Sequence, residues 1–363
     1  MAAEASVKCG MRFLGKKSGV KVSNLCLGTM TFGESDKALI KLPGQMDEED
    51  CFKICDRFVE LGGNFFDTAD AYSAGRSEEI LGKWLSKQQR DRFFIATKVR
   101  FPTDITEPNS VGLSRHHILT GVEQSLKRLQ TSYIDLLFTH CWDEGTPIEE
   151  TLRVLNDLVT SGKVHYVGVS NVTGWQLQKI MDLNRQFNYQ PIVALQAQYS
   201  LLCRQTEWEL LDVCQREGVA MLPWSPLKGG LLSGKVTRET SSSPPEGSRM
   251  AWALDPKNKL QSAPYIKDFD TDKTWNLIEG MAEIGKTTEH SVAQVALKWL
   301  LHQGGVDSVV IGAKRLSQLE DNMKAGNPNW TLSAEEIAKL NELSAIPVPY
   351  PYEMVTRCQR GRV

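Results

Sequence analysis

From residue 24 onward the chain alternates short apolar runs with longer stretches in which apolar residues recur every three or four positions. The short runs fit buried strands of a parallel sheet, the longer stretches amphipathic helices. "NLCLGTM" predicts a strand, 48–61 a helix, "NFFD" a strand, "SEEILGKWL" a helix and "FFIATKV" a strand. The rhythm continues with a helix over 114–129, strand "IDLLFTH", a helix over 148–160, strand "VHYVGVS", a helix over 174–187 and strand "PIVALQAQYS". A helix over 207–217, strand "GVAMLPWS", a helix over 291–302, strand "VDSVVIG" and a helix over 316–325 complete it. Ahead of the series, "MRFLGKKSGVKVS" alternates apolar and polar residues about a turn at 17–19, which reads as a β-hairpin.

Eight strand-and-helix units in one unbroken run predict an α/β fold of the (β/α)8 TIM-barrel type, preceded by an N-terminal β-hairpin. An open doubly wound sheet would carry a Gly-rich turn after its first strand, and no GxGxxG stands there. The expected organisation is one barrel domain over 1–363, with the hairpin in 1–23 and a tail over 346–363 that lies across the barrel mouth or frays. A long loop after the seventh strand, irregular over 228–270 and containing "TSSSPPEGS", suits a lid or binding loop.

Charge narrows the partners. The formal net charge is −2 with acids and bases nearly balanced, so no global field favours nucleic acid or an anionic membrane. No uncharged apolar run is long enough to span a bilayer, and "MAAEASVKCG" lacks the apolar core of a targeting signal, so a soluble protein is expected. The eight cysteines are scattered without a CxxC pair, which reads as reduced thiols in the cytoplasm. Cys51 and Cys55 share a helix face without the further ligands a metal site needs.

In a barrel, chemistry gathers where strands end, at the C-terminal rim. Asp67, Lys98, His140, Ser170 with Asn171, Gln196, Trp224 and Gly312 all fall at or just past a predicted strand end, and Tyr72 follows Asp67 by five residues. A tyrosine hydroxyl becomes a better acid when an ammonium stands beside it, and Lys98 is placed for that task. A buried lysine keeps its charge only when paired, which gives Asp67 a purpose. His140 can donate to a carbonyl oxygen, so the four form a pocket that polarises a C=O and delivers a proton.

These residues carry a likeness. Through "FDTADAY", "IATKV", "YIDLLFTHCWD", "GKVHYVGVSN", "LQAQYSLL", "WSPLKGGLLSGK" and "VVIGAKRLSQLEDN" the chain resembles the aldo-keto reductases over essentially its whole length, nearest the branch that includes potassium-channel β subunits. The resemblance implies NADPH-dependent reduction of aldehydes or ketones, with Tyr72 as proton donor and Asp67, Lys98 and His140 as its catalytic partners. It assigns Ser170, Asn171 and Gln196 to the nicotinamide carboxamide and the aromatic face of Trp224 to the ring, with Thr29 and Met30 as further cofactor neighbours. The loop over 225–235, through Ser225, Pro226, Leu227, Gly229 and Lys235, is implied to hold the pyrophosphate, with Arg249 clasping from the long loop. Gly312, Lys314, Gln318, Asp321 and Asn322 match positions that meet the adenosine end, and Lys314 or Arg315 suits the 2′-phosphate of NADP.

Three positions depart from the branch. Met30 stands where it often has Trp, 35–42 reads as extra residues that unsettle a cofactor contact at Gln45, and His140 is intact where some channel subunits lack it. The alternative to an enzyme is a cofactor-bound regulatory subunit of an ion channel or other partner, as a homo-oligomer or complex, with slow or vestigial turnover. Substrate choice is expected from loop residues such as Trp142, Trp252, Tyr265 and 350–354, and Cys141 beside His140 is a candidate redox-sensitive thiol.

Overall fold

The computed structural model describes residues 8–36, 44–102, 106–246, 248–255, 257 and 269–359. An antiparallel hairpin comes first, β1 (Met11–Phe13) and β2 (Lys21–Ser23), with Met11 opposite Ser23. Then follow β3 (Leu25–Gly28), α1 (Glu48–Glu60), β4 (Phe65–Asp67), α2 (Arg76–Leu85), β5 (Phe94–Val99), α3 (Arg115–Leu129), β6 (Ile134–Thr139), α4 (Ile148–Thr160), β7 (Val164–Ser170), α5 (Gly174–Phe187), β8 (Ile192–Gln198), α6 (Leu210–Glu217) and β9 (Ala220–Trp224). The remainder is α7 (Arg249–Leu254), α8 (Asp272–Thr288), α9 (Val292–His302), β10 (Val309–Ile311), α10 (Leu316–Lys324), α11 (Ala334–Leu343) and α12 (Tyr352–Cys358).

Strands β3 to β10 form one parallel sheet in the order β10-β3-β4-β5-β6-β7-β8-β9. The two edges meet through a parallel bridge between Met221 and Val306, where Met221 N–H donates to the Gly305 carbonyl at 2.8 Å. The result is the expected (β/α)8 barrel. Three helices were not expected from the sequence, α8, α11 and α12, and 228–270 is not irregular throughout, since it holds a 3-10 turn at Lys228–Ser233 and then α7.

The two-residue period of the strands sorts the core into two shells. Phe65, Phe94, Ala96, Leu136, Phe138, Ala194, Ala220 and Leu222 pack inside the barrel, where Leu14 and Val22 of the hairpin region join them from below. Phe66, Ile95, Leu137, Val167, Leu195 and Met221 pack outward against the helices. Gly168 makes room for this filling, because a Cβ there would meet the Phe138 ring at 2.5 Å. Above the apolar layers, the same inward parity reaches Asp67 after Phe65, Lys98 after Ala96, His140 after Phe138, Gln196 after Ala194 and Trp224 after Leu222. Among the described residues no helix is long and apolar enough to cross a membrane.

Candidate active site

The segment after β4 turns sharply. Ser73 and Ala74 hold left-handed backbone at φ 50° and 54°, Gly75 follows at 90°, and the Ser73 hydroxyl donates to the Gly33 carbonyl at 2.8 Å. Such a run in non-glycine residues costs free energy that the surrounding contacts must offset. It brings Tyr72 back over Lys98. The Lys98 Nζ donates to Asp67 Oδ2 at 2.6 Å, to the Thr68 carbonyl at 2.8 Å and lies 3.2 Å from the Tyr72 hydroxyl. Lys98 is 1% exposed and Asp67 2%, so this is an ion pair at the floor of the mouth. Gln196 Nε2 donates to the second Asp67 oxygen at 2.7 Å, which leaves both carboxylate oxygens engaged.

The charges follow from this packing. Burial works against the Lys98 charge, but Asp67 and Tyr72 outweigh it and hold the ammonium above its ordinary value. Burial raises the Tyr72 hydroxyl above its ordinary value, and Lys98 offsets only part of the rise. Lys98, expected to lower that acid, does pull in that direction, and burial is the larger effect. Burial, with Lys98 and Arg100, holds His140 well below its ordinary value, so the imidazole is neutral and retains one N–H to donate. Its ring stands edge-on to Tyr72, centroids 5.7 Å apart, and its buried Nδ1 has no hydrogen-bond partner.

Tyr72, Asp67 and His140 open onto a cavity of about 1420 Å³ that runs from the mouth to the start of α10. Met30, Ser170, Asn171, Gln196, Trp224, Ser225, Pro226, Leu227, Gly229, Lys235, Arg249, Gly312, Lys314, Gln318, Asp321 and Asn322 all line it. Thr29 does not: it is fully buried, its hydroxyl 2.7 Å from that of Ser77 and 3.2 Å from the Asp67 carbonyl it donates to. Asn171, left-handed at φ 52°, donates to the His140 carbonyl at 2.8 Å and to Ser170 Oγ at 3.0 Å, and accepts from Trp224 Nε1 at 3.1 Å. Both Asp321 oxygens accept from the start of α9, from Ser291 Oγ at 2.8 Å and Gln294 Nε2 at 2.6 Å.

Beyond Trp224 the backbone suits an anion. Ser225, Lys228, Gly229 and Gly230 all have positive φ, the Ser225 hydroxyl is buried without a partner, and a Cβ at Gly230 or Gly312 would meet nothing within 4 Å. Turns that pair right- with left-handed residues form concavities of N–H groups that bind phosphate; in this turn the N–H groups of Lys228 and Gly230 donate to the Ser225 and Leu227 carbonyls. At the far end Lys314 is held below its ordinary value by burial and by the neighbouring cations Arg249 and Arg315, while its backbone N–H donates to Gln318 Oε1 at 3.0 Å. Gly44 and Asp50, not singled out from the sequence, line the cavity too, and a Cβ at Gly44 would overlap the Lys314 ammonium.

Among the loop residues expected to choose a substrate, Trp142 pairs edge-on with Trp175 at 5.8 Å and Tyr352 stacks on Trp208 at 6.0 Å, while Tyr265 lies outside the described residues. Most of 35–42 lies outside them too, and Gln45 Nε2 donates to Ser73 Oγ at 3.2 Å. Cys141 is partly exposed, its thiol 3.7 Å from the Asn171 carbonyl. Cys51 and Cys55 are buried core thiols, Cys51 pushed up to about 12 by burial.

The model of the Aldo/keto reductase family matches residues 24–345. A norsolorinic acid reductase of Aspergillus flavus is 32% identical over 94% of this chain and 82% of its own length. The uncharacterized oxidoreductase YrpG of Bacillus subtilis is 35% identical over 91% and 94%, and an aryl-alcohol dehydrogenase [NADP(+)] of Phanerodontia chrysosporium 30% identical over 97% and 90%.

Proposed function

The chain belongs to the aldo/keto reductase family and is an oxidoreductase, and from that premise we propose that it reduces aldehydes and ketones to alcohols with NADPH, Tyr72 giving the proton. The observation that carries this reading is the hydrogen-bonded series from Asp67 through Lys98 to the Tyr72 hydroxyl, at 2.6 and 3.2 Å, on the floor of the cavity. Tyr72 stays protonated at neutral pH and so holds a proton to give as negative charge develops on the carbonyl oxygen. Lys98, kept cationic by Asp67, stabilises the phenolate that remains. Neutral His140 donates its N–H to the same oxygen without adding charge to the ground state.

The residues present fit a dinucleotide phosphate. The orphaned Ser225 hydroxyl and the open faces of Gly230 and Gly312 suit its pyrophosphate, and the mutually repelling Lys314, Arg249 and Arg315 suit a 2′-phosphate. Ser170, Asn171 and Gln196 would hold the carboxamide, with Trp224 beside the ring. When bound, the reduced nicotinamide supplies the hydride.

A relative named aryl-alcohol dehydrogenase supports an aromatic carbonyl. The test is NADPH consumption, followed by absorbance, with aromatic, aliphatic and dicarbonyl compounds. Turnover of aromatic aldehydes is the expected result. Tight NADPH binding with no turnover of any carbonyl would favour the regulatory subunit instead.

A further inference from the structure

One buried carboxyl group stands behind the active site without a task in the chemistry above. Asp70 lies between Asp67 and Tyr72 in the turn that follows β4, and its backbone N–H donates to the Lys98 carbonyl at 3.1 Å. It therefore ties the loop that carries Tyr72 to the strand that carries Lys98. Its side chain is 1% exposed and faces α3, where a Cβ on Gly121 would stand 3.9 Å from Oδ2.

The charged groups that act on Asp70 are Glu78 of α2, Arg128 of α3 and Lys98 of β5. Two of them are already matched to each other. Glu78, fully buried, accepts from Arg128 Nε at 2.7 Å and from the Thr97 hydroxyl at 2.5 Å. The third is matched as well, because the Lys98 ammonium is bonded to Asp67. Asp70 is the carboxyl left over, and its Oδ1 has no hydrogen-bond partner among the described residues. Burying a carboxylate without a counter-ion costs far more than burying the acid, so the group keeps its proton. Burial, joined by the charge of Glu78, pushes Asp70 well above the usual carboxylate range against the pull of Arg128 and Lys98.

We propose that Asp70 is a positioning residue for Tyr72: as a neutral acid it lets the turn after β4 seat against α3, and on losing its proton it lifts that turn and takes the Tyr72 hydroxyl away from Lys98. The proposal rests on the reductase reading for the task of Tyr72. A carboxylate at this place must move towards water or a new partner, and the backbone that moves with it is two residues from the tyrosine. That backbone is already strained, with Ser73 and Ala74 left-handed at φ 50° and 54°, and it is packed from below by Arg128, whose Cδ a Cβ on Gly75 would meet at 2.9 Å. Activity then ends at alkaline pH by loss of the seat, before Tyr72 itself ionises.

The test follows the full chain with NADPH from neutral to alkaline pH, in wild type and Asp70→Asn. It reads kcat for an aromatic aldehyde, and hydrogen exchange of the 68–75 amides by mass spectrometry, corrected for the intrinsic rise of exchange with pH. In the wild type kcat should fall by up to about tenfold per pH unit once Asp70 ionises, with loop exchange rising in step and NADPH affinity unchanged. In Asp70→Asn, which cannot ionise, both changes should vanish or move up to the pH at which Tyr72 ionises. Asp70→Ser, equally unable to ionise, guards against an Asn that packs badly. One shared profile in all three proteins would overturn the proposal. So would a kcat limb that moves while loop exchange stays flat in the wild type, since Asp70 would then act by charge and not by position. If no aldehyde is turned over, the reductase reading is what fails, and exchange decides Asp70 alone. An opening of 68–75 with pH that Asp70→Asn abolishes then supports the seat, and equal exchange removes it.

Discussion

The two ends of the cavity handle charge in opposite ways. At the floor, Lys98 and Asp67 lie 2.6 Å apart with both carboxylate oxygens and the ammonium hydrogen-bonded inside the protein. At the far end, Arg249, Lys314 and Arg315 repel one another, and Lys314 is held below its ordinary value as a result of burial and of that repulsion. A neutralised, internally bonded cluster is preorganised before any ligand arrives, as a site for proton delivery must be. A cation pressed by like charges gains when an anion enters. The difference separates what the fold completes alone from what a ligand completes.

The sharpest way to break this comparison is to remove the proton while keeping the ring. Tyr72→Phe should lower kcat for carbonyl reduction by about 10²–10⁴-fold, the usual contribution of a positioned acid, while NADPH affinity measured by fluorescence stays as in the wild type. An equal loss of both would place Tyr72 among the binding residues. Next in size is the buried pair. Lys98→Met strands Asp67 in a site 2% exposed and should cost about 3–5 kcal/mol of stability, read as a lower denaturation midpoint. The double variant Lys98→Met with Asp67→Asn should regain part of that loss, because Gln196 still finds an oxygen to donate to. No recovery would mean that Lys98 stabilises by packing rather than by compensating charge.

The far end should respond to ligand rather than to folding. Lys314→Met should weaken NADPH by about 10- to 100-fold and NADH far less, since a charged hydrogen bond contributes about 1.5–3 kcal/mol. Denaturation of the unliganded variant should change far less than that of Lys98→Met, because burial and like charge already work against the Lys314 ammonium. Equal weakening of the two nucleotides would move the 2′-phosphate away from Lys314.

The floor was more legible in the sequence than the far end, and the reason is geometric. A strand has a two-residue period, so an apolar run that ends in Asp67, Lys98, His140 or Gln196 already fixes which way that residue faces. The cover of Lys314 by Gly44 and the setting of Arg100 beside His140 are through-space relations that no local period encodes. Thr29 shows the converse: one residue past a strand end, it turns its hydroxyl to Ser77 and away from the cavity. Helix α8 escaped because Gly280 and Gly285 interrupt its apolar face; both allow close approach, Gly280 to Leu343 of α11 and Gly285 to the His290 carbonyl. Helix α11 did carry a signal, since Ser333 and Glu336 form a reciprocal capping box at its start.

The smallest expected effect probes whether the floor is as neutral as its hydrogen bonds imply. Burial, Lys98 and Arg100 hold His140 well below the ordinary 6.5, so the folded chain refuses a proton there that the unfolded chain accepts. Below pH 6.5 the unfolded state therefore binds more protons, and stability must fall as the solution is acidified, by at most about 1.4 kcal/mol per pH unit for this one histidine. His117, lowered by burial and by His116, adds to the same slope. His140→Gln should flatten the dependence of the midpoint on pH while leaving the share that His117 contributes. As the pH falls through 6.5 kcat of the wild type should not change, because the imidazole that meets the carbonyl is held neutral there. A kcat limb near pH 6.5 that disappears in His140→Gln would mean that His140 works as a cation, and that the floor, like the far end, waits for a ligand to settle its charge.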